Sequence, residues 1–259
     1  MLAVSPIPAF DDNYIWLLRD PGSTQVTVVD PGDEWPVLTN LEAQGRELSA
    51  VLVTHHHYDH IGGVEALRAA FPKVRVLGPK DRRIRALTHV VREGDTVEIP
   101  GLSERFQVLE IPGHTSTHIA YLGAGALFCG DTLFAAGCGR VFDGTFDQLA
   151  ASLERIAALP GETRCYCAHE YTLANLGFAG WVEPESTAIA QRKQTASNLR
   201  ALGRPTVPSR LSEELATNPF LRTGVPTVRS AAEAASGKSL TTDAEVFTAL
   251  RRWKDERYD

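Results

Sequence analysis

The sequence predicts an α/β sandwich over residues 1–171 and a mostly helical domain over residues 172–259. Strand-like and helical segments alternate in the first two-thirds of the chain, a pattern that favours layered sheets and helices over a doubly wound sheet. From about Thr172 the strand signals stop and helical patterns take over. With 259 residues, 43% of them hydrophobic and 22% charged, the chain can bury a sizeable core.

Several short segments of the first part have the composition of strands. The segment 48–54 is almost wholly apolar, as in a strand buried on both faces, and 25–30 is β-branched up to the turn at Pro31-Gly32. The segments 119–122 and 126–129 flank two glycines and predict a hairpin. Further strands are expected at 74–77, 96–99, 106–111 and 163–167.

Helices are predicted between and after these strands. Trp35, Leu38 and Leu41 recur at helical spacing, and residues 64–71 form a short helix that ends before Pro72. Capping-box patterns at 145–148 and 242–245 each open a helix with an apolar stripe. These stripes comprise Leu149, Leu153, Ile156 and Leu159 in one helix and Val246, Phe247, Leu250 and Trp253 in the other. A long polar helix is expected over residues 184–202.

Charge and composition exclude several classes of function. The net charge is −6 without a basic block, so no nucleic-acid partner is expected. No apolar run is long enough to span a bilayer, and the first residues have no pattern of a secretory signal, so we expect a cytoplasmic protein without a membrane partner. The four cysteines have no C-x-x-C spacing and are expected to be buried, reduced thiols: Cys129, Cys138, Cys165 and Cys167.

A histidine-rich motif, Thr54-His-His-His-Tyr-Asp-His60, directly follows the buried strand. Side chains alternate in an extended segment, so His55 and His57 can converge on one ion while His56 points outward. Asp59 and His60 follow as the chain turns and can face a second ion. Imidazole and carboxylate together suit zinc, iron or manganese.

Three more potential ligands follow predicted strands at other places in the chain. His114 comes after the segment 106–111, Asp131 after 126–129 and His169 after 163–167. The ends of neighbouring strands can meet at one edge of a sheet, so we expect these side chains to join the histidine-rich motif. His118 is expected to support the site, and His89 to lie at the surface.

The segments T-H-H-H-Y-D-H-I-G-G, P-G-H-T, F-C-G-D-T-L-F and A-H-E-Y-T resemble the metallo-β-lactamase superfamily. With Gly137-Cys-Gly-Arg140, Asn218-Pro-Phe and the basic C-terminal segment, nearly the whole chain resembles its glyoxalase II family, the hydroxyacylglutathione hydrolases. The resemblance implies an αββα sandwich with two divalent metal ions, zinc foremost and iron or manganese as alternatives. It allots His55, His57 and His114 to the first ion, Asp59, His60 and His169 to the second, and Asp131 to both.

The activity that the resemblance implies is hydrolysis of S-(2-hydroxyacyl)glutathione thioesters, chiefly S-D-lactoylglutathione, in the second step of methylglyoxal detoxification. A hydroxide shared by the two ions would attack the thioester carbonyl, with Asp59 and Asp131 as the catalytic residues. The thiolate of glutathione leaves without a general acid, because the pKa of such a thiol is only about 8.5. The implied partner is this small molecule alone, and we expect a monomer.

The resemblance also implies how the glutathione arm is held. Arg140, Tyr171, Arg251 and Lys254 match positions that bind it in the family, and Arg251 and Lys254 share one face of the predicted last helix. Phe142 stands where many relatives have a tyrosine, so one hydrogen bond to glutathione should be missing. Two further departures are Arg140, where some relatives have lysine, and Thr117, where glycine is common.

Other readings of the same motifs make different predictions. A glutathione persulfide dioxygenase resembles this fold but uses one iron ion, and the seven potential ligands count against it. Di-zinc β-lactamases usually have a cysteine at the position of Asp131, and RNA-processing relatives carry an inserted domain for which this chain has no room. A binding protein that has lost its chemistry should lack a ligand, and all seven are present.

Overall fold

The computed structural model describes residues 2–258. The chain folds into two compact units, and neither is a single continuous stretch. The first unit comprises the residues up to Glu110 together with Thr117–Gly130, and the second comprises Ile111–Ser116 together with the residues from Asp131 onward. The domain boundary that the sequence predicts, between residues 171 and 172, stays a prediction.

The first sheet of the first unit has six strands within the described residues, and they lie side by side in the order in which they occur along the chain. They are β1 (Ala3–Ala9), β2 (Asn13–Arg19), β3 (Gln25–Val29), β4 (Glu47–Leu52), β5 (Arg75–Pro79) and β6 (His89–Val91). Strands β1 to β3 pair antiparallel and β3 to β6 pair parallel. The predictions for β3, β4 and β5 are confirmed to within two residues at each end.

The second sheet contributes an antiparallel meander to the first unit. Its strands are β7 (Thr96–Glu98), β8 (Arg105–Glu110), β9 (Ile119–Gly123) and β10 (Ala126–Gly130). The predicted hairpin is confirmed, and both turn residues, Ala124 and Gly125, have the positive φ angles of a tight two-residue turn. The Tyr121 hydroxyl of β9 lies 3.1 Å from the carbonyl oxygens of Val53 and Leu77, and so links this sheet to the first.

Three helices join the strands of the first sheet: α1 (Glu34–Gln44), α2 (Tyr58–Ile61) and α3 (Val64–Ala70). Asp33 caps the start of α1 by accepting a hydrogen bond from Trp35 N, and Gly45 ends the helix in the left-handed conformation. The predicted helix is therefore confirmed. Its buried face is formed by Val37 and Leu41, whereas Trp35 is 69% exposed.

The second unit contains two short antiparallel pairs of strands and most of the helices. The strands are β11 (Leu133–Phe134) with β12 (Gly137–Cys138), and β13 (Arg164–Cys167) with β14 (Ser209–Arg210). The helices are α4 (Phe146–Ala157), α5 (Thr172–Val182), α6 (Thr187–Ala201), α7 (Leu211–Thr217), a 3-10 turn (Pro219–Leu221), α8 (Pro226–Ser236) and α9 (Asp243–Arg257).

Both predicted capping boxes are present. Thr145 and Gln148 cap α4, and Thr242 and Glu245 cap α9. The predicted stripes are largely buried, with Leu149, Leu153 and Ile156 on α4 and Val246, Phe247 and Leu250 on α9. Within residues 2–258, no helix has both the length and the apolar character needed to cross a bilayer.

The sequence analysis predicted no strand at residues 3–9. Strand β1 contains Pro6 and Pro8, and within the described residues it lies at the edge of its sheet beside β2, where proline is tolerated. The expectation that strands end at Thr172 is wrong, since β14 pairs with β13. A strand of two residues has no periodicity that a sequence could reveal.

Candidate metal centre

The histidine-rich motif continues from β4 in an extended conformation before it turns into α2. His55 is fully buried, and its Nε2 atom lies 3.2 Å from His57 Nδ1. The predicted convergence of these two imidazoles is therefore present. His56 points away from them as predicted, but it faces Asp81, with 3.5 Å between Nδ1 and Oδ2, instead of solvent.

Asp59 and His60 lie on the single turn of α2. His60 is fully buried, and its Nε2 atom lies 3.4 Å from Asp59 Oδ2. The side chain of Asp59 is 39% exposed and accepts a hydrogen bond of 3.0 Å from Asn13 Nδ2. The first unit thus brings four of the predicted ligands together at the end of β4.

Asp30, which follows β3, contacts the predicted ligand His60 and was not singled out by the sequence analysis. Its Oδ1 accepts from Thr54 N at 2.8 Å, and its Oδ2 lies 2.7 Å from Thr54 Oγ1 and 3.1 Å from His60 Nδ1. Its carboxylate, His55 and His60 offer ligand atoms within 4.8 Å of one another, so Asp30 is itself a potential ligand. Because Thr54 occupies its oxygens and it contacts the Nδ1 side of His60, Asp30 fits better as the group that directs His60 Nε2 towards Asp59.

The second unit brings together the other three predicted ligands, His114, Asp131 and His169, all of them buried. Asp131 Oδ2 lies 3.5 Å from His114 Nε2 and 3.4 Å from His169 Nε2. His114 Nδ1 lies 2.8 Å from the carbonyl oxygen of Arg140, which can only accept, so Nδ1 carries the proton and Nε2 faces Asp131. This is the outer-shell contact that orients histidine ligands of metals.

The backbone packs closely around this second cluster. A Cβ atom on Gly139 would lie 2.0 Å from the carbonyl oxygen of Asp131 and 2.9 Å from His114 Nδ1. Position 139 therefore requires glycine, which explains part of the Gly137-Cys-Gly-Arg140 motif.

Both clusters have the spacing of metal ligands. A tetrahedral ion with bonds of about 2.1 Å separates its ligand atoms by about 3.4 Å. The distances between imidazole nitrogens, or between a nitrogen and a carboxylate oxygen, are 3.2 and 3.4 Å in the first unit and 3.4 and 3.5 Å in the second. These separations are those of two ligands on one divalent ion, and the mixture of donors suits zinc, iron or manganese.

Residues other than the predicted ligands also lie around the histidine-rich motif. The ring of His118 is buried and stacks on His55, with 4.6 Å between centroids, while His89 is exposed. Thr117 Oγ1 donates a 2.8 Å hydrogen bond to Asp81 Oδ2. Hydrogen bonds from Arg83, above all, hold the pKa of Asp81 well below its ordinary value.

Two of the predicted substrate contacts lie against the second cluster. Phe142 is 63% exposed, and its ring is 5.2 Å from that of His114 in an edge-to-face arrangement. Tyr171 is 37% exposed and stacks on His169 at 4.7 Å. Arg140 has an exposed side chain, with Nε 3.5 Å from Asp255 Oδ1.

The other two predicted contacts, Arg251 and Lys254, are buried on α9. Arg251 is 1% exposed; it donates to the carbonyl oxygen of Cys138 at 3.0 Å and to Asp255 Oδ1 at 2.8 Å. Lys254 is 6% exposed, with its ammonium 5.7 Å from the centre of the Tyr258 ring. Asp255, which the sequence analysis did not single out, therefore joins Arg140 to Arg251.

The four cysteines are free and buried, as predicted. Burial raises the pKa of the Cys138 thiol to about 11 and that of Cys167 to about 12. Such thiols are protonated at neutral pH and unsuited to nucleophilic attack.

Comparisons with known proteins agree with this geometry. Residues 9–169 match the family model of the metallo-beta-lactamase superfamily, and residues 170–257 match that of the hydroxyacylglutathione hydrolase C-terminus. The chain is 55% identical to the hydroxyacylglutathione hydrolase of Alkalilimnicola ehrlichii over 99% of its own length and 100% of the relative.

Solved structures with the same fold include ETHE1 from Myxococcus xanthus, with a TM-score of 0.68, 26% identity and coverage of 100% of this chain and 93% of that one. A second is TTHA1623 in a di-iron-bound form, with a TM-score of 0.55, 29% identity and coverage of 64% of this chain and 92% of that one. The metallo-β-lactamase fold expected from the sequence, with its C-terminal helical region, is thereby confirmed.

Proposed function

Since the chain belongs to the hydroxyacylglutathione hydrolase (glyoxalase II) family of the metallo-β-lactamase superfamily, we propose that it hydrolyses chiefly S-D-lactoylglutathione, to D-lactate and glutathione. The chain is a metal-dependent hydrolase, and the assignment is carried by its 55% sequence identity to a hydroxyacylglutathione hydrolase over 99% of this chain and 100% of the relative. The reaction is the second step of methylglyoxal detoxification.

The two ligand clusters would act together on one pair of divalent ions. His55, His57 and His114 would hold the first ion, Asp59, His60 and His169 the second, and Asp131 both. Support for the role of Asp131 comes from the nearly equal distances of its Oδ2 atom to His114 and His169. Bound ions of this kind lower the pKa of a shared water towards about 7 and polarise a carbonyl group.

The protein's own residues would direct the remaining steps. Asp59, whose side chain is 39% exposed against 9% for Asp131, would accept a proton from the attacking water. The water oxygen bonds to the thioester carbon, the carbon–sulfur bond breaks, and the sulfur leaves as a thiolate with the electron pair. The thiolate needs no acid from the protein, because the pKa of a free thiol is about 8.5.

The glutathione arm would bind beside the second cluster. Its two carboxylates call for cations, which Arg140, Arg251 and Lys254 would supply, and Tyr171 would donate a hydrogen bond. Phe142 has no hydroxyl to donate. Arg251 and Lys254 are buried beside Asp255 and Tyr258. To contact glutathione, their side chains would have to become accessible at the surface of α9.

Metal identity, assembly and location complete the proposal. We propose zinc as the native metal, with iron or manganese as alternatives that the same donors accept. The protein would act as a monomer in the cytoplasm, which agrees with four free cysteines.

Hydrolysis of S-D-lactoylglutathione by the purified protein tests the proposal. The loss of thioester absorbance is followed while metal is counted in the same preparation, with a chelator-stripped sample as the control. We expect about two equivalents of metal and turnover that stops on stripping and returns with zinc, iron or manganese. Two bound ions without turnover would exclude this substrate, and a chain that binds one iron and oxidises glutathione persulfide would point to the dioxygenase alternative.

A further inference from the structure

The Asn218-Pro-Phe motif, which the proposed reaction does not use, holds the hairpin of β11 and β12 within the second unit. Asn218 is fully buried at the end of α7. Its Nδ2 donates to the carbonyl oxygens of Gly137 at 2.9 Å and Phe134 at 3.3 Å, and its Oδ1 accepts from Phe220 N at 3.1 Å. The side chain thus ties the end of α7 to both strands of the hairpin.

Glu214, one turn earlier on α7, reaches the tip of the same hairpin. It is fully buried, its Oε2 accepts from the backbone N–H of Ala136 at 2.8 Å, and its Oε1 pairs with the guanidinium of Arg192 on α6. A buried carboxylate is costly unless a counter-charge and hydrogen bonds compensate for lost water. The same Oε2 also accepts a 3.1 Å hydrogen bond from Asn218 Nδ2, so Glu214 joins the other residue that holds the hairpin to the backbone N–H at its tip.

Ala136 is held in a conformation that alanine rarely adopts. Its φ angle is +56°, in the left-handed region, and its side chain packs into an apolar cluster with Leu176, Ile189 and Ala196. Asn175 on α5 donates a 3.0 Å hydrogen bond to the neighbouring carbonyl oxygen of Ala135. Buried side chains from α5 and α7 therefore fix the tip of the hairpin residue by residue.

The hairpin connects one residue of the second ligand cluster with a residue that orients another. Asp131 precedes β11, and Arg140, whose carbonyl oxygen fixes His114 Nδ1, follows β12. The backbone N–H of Gly139 closes the base of the hairpin on the carbonyl oxygen of Thr132 at 3.3 Å. We therefore expect a displacement of the tip to change the position of the Asp131 carboxylate and the orientation of His114.

We propose that Glu214, with Asn175 and Asn218, is a positioning residue for the metal site, acting through the β11–β12 hairpin on Asp131 and His114. The inference rests on the metal assignment made in the proposed function. Residues that orient metal ligands typically change metal affinity by about 10- to 100-fold when they are replaced. A buried pair that served stability alone would leave metal affinity unchanged.

The test is a competition titration of the full-length, metal-free protein with zinc against a chromophoric chelator, together with the visible spectrum of the cobalt(II)-loaded protein. In Glu214→Gln we expect at least one ion to bind about tenfold or more weakly and the cobalt spectrum to change. The matched control is Glu213→Gln, because Glu213 faces the same Arg192 at 3.5 Å with a side chain that is 48% exposed. It should bind both ions within about twofold of the wild type.

A second variant, Asn175→Ala, decides the matter if Glu214→Gln does not fold, since it removes the uncharged bond to Ala135 and leaves the pair of Glu214 and Arg192 in place. A lower unfolding temperature of the metal-free variant with wild-type metal affinity and an unchanged cobalt spectrum would overturn the proposal. Failure of the proposed function can be told apart from failure of this inference. A wild-type chain that binds two ions but does not hydrolyse S-D-lactoylglutathione would contradict the function, and the titration could still be carried out. A wild-type chain that binds no ion would overturn both.

Discussion

Replacing Asp30 with asparagine should weaken metal binding although Asp30 is not a proposed ligand. The carboxylate contacts Thr54 N at 2.8 Å, Thr54 Oγ1 at 2.7 Å and His60 Nδ1 at 3.1 Å. An amide keeps an acceptor for Thr54 N but turns an NH₂ group towards His60 Nδ1, so the imidazole must rotate or move its proton to Nε2. Either change takes the Nε2 lone pair away from the ion.

The size of the effect follows from the bond that is lost. A hydrogen bond to a charged group contributes about 1.5–3 kcal/mol, which corresponds to a loss of roughly 10- to 100-fold in affinity for the ion assigned to His60. A competition titration measures it, with Asp33→Asn as the control, because an asparagine at that helix cap still accepts from Trp35 N. Equal metal affinity in Asp30→Asn and the wild type would refute the reasoning.

Three further predictions concern the substrate arm, a supporting loop and the last helix. Phe142→Tyr should lower KM for S-D-lactoylglutathione about two- to tenfold at constant kcat, because it restores one hydrogen bond of about 0.5–1.5 kcal/mol away from the reacting carbon. Thr117→Gly should lower the free energy of unfolding by about 1–3 kcal/mol in urea titrations, because it removes the bond to Asp81 and adds freedom to the unfolded chain. Hydrogen bonds from Thr241 and Thr242 hold the pKa of Glu245 at about 2. The stability that Glu245 provides should therefore be complete above its ordinary pKa of about 4.3 and be lost as the pH falls towards 2, and Glu245→Gln should flatten that decline.

Each of these predictions has a variant or an outcome that can contradict it. A change in kcat with an unchanged KM in Phe142→Tyr would place residue 142 at the reacting centre instead of the glutathione arm. Thr117→Ser keeps the hydroxyl and should recover most of the stability that glycine loses; if it does not, the bond to Asp81 is not the cause. An acid-unfolding profile that is identical in Glu245→Gln and the wild type would show that another group governs that pH range.

The parts of the site that the sequence predicts are those governed by local geometry. Alternation along a strand is enough to pair His55 with His57, and the structure has their nitrogens 3.2 Å apart. The capping boxes at Thr145 and Thr242 involve only residues three apart and were predicted for the same reason. Strand β1 escaped prediction because Pro6 and Pro8 are ordinary loop residues unless the strand is known to lie at a sheet edge.

The residues that escaped prediction depend on contacts between distant parts of the chain. Asp30 resembles any turn residue after a strand until the parallel pairing of β3 with β4 brings it to Thr54 and His60. Glu214 lies on a short helix whose neighbouring glutamate is exposed, and no periodicity reveals that one of two adjacent acids is buried. The burial of Arg251 was likewise beyond sequence reasoning, because it depends on the carbonyl oxygen of Cys138, which lies 113 residues earlier in the chain.

The residues that hold the β11–β12 hairpin are synthesised well after the hairpin itself. Glu214 follows Ala136 by 78 residues, and Asn218 follows Phe134 by 84. These backbone groups of the hairpin therefore lack their buried partners until about half of the segment 172–259 has been synthesised, although all seven proposed ligands have already been made by residue 169. Folding proceeds broadly from the N-terminus during synthesis, so the proposed ligands are made before the residues that fix two of them, and we expect a nascent chain to reach its final site geometry only after residue 218 has been made.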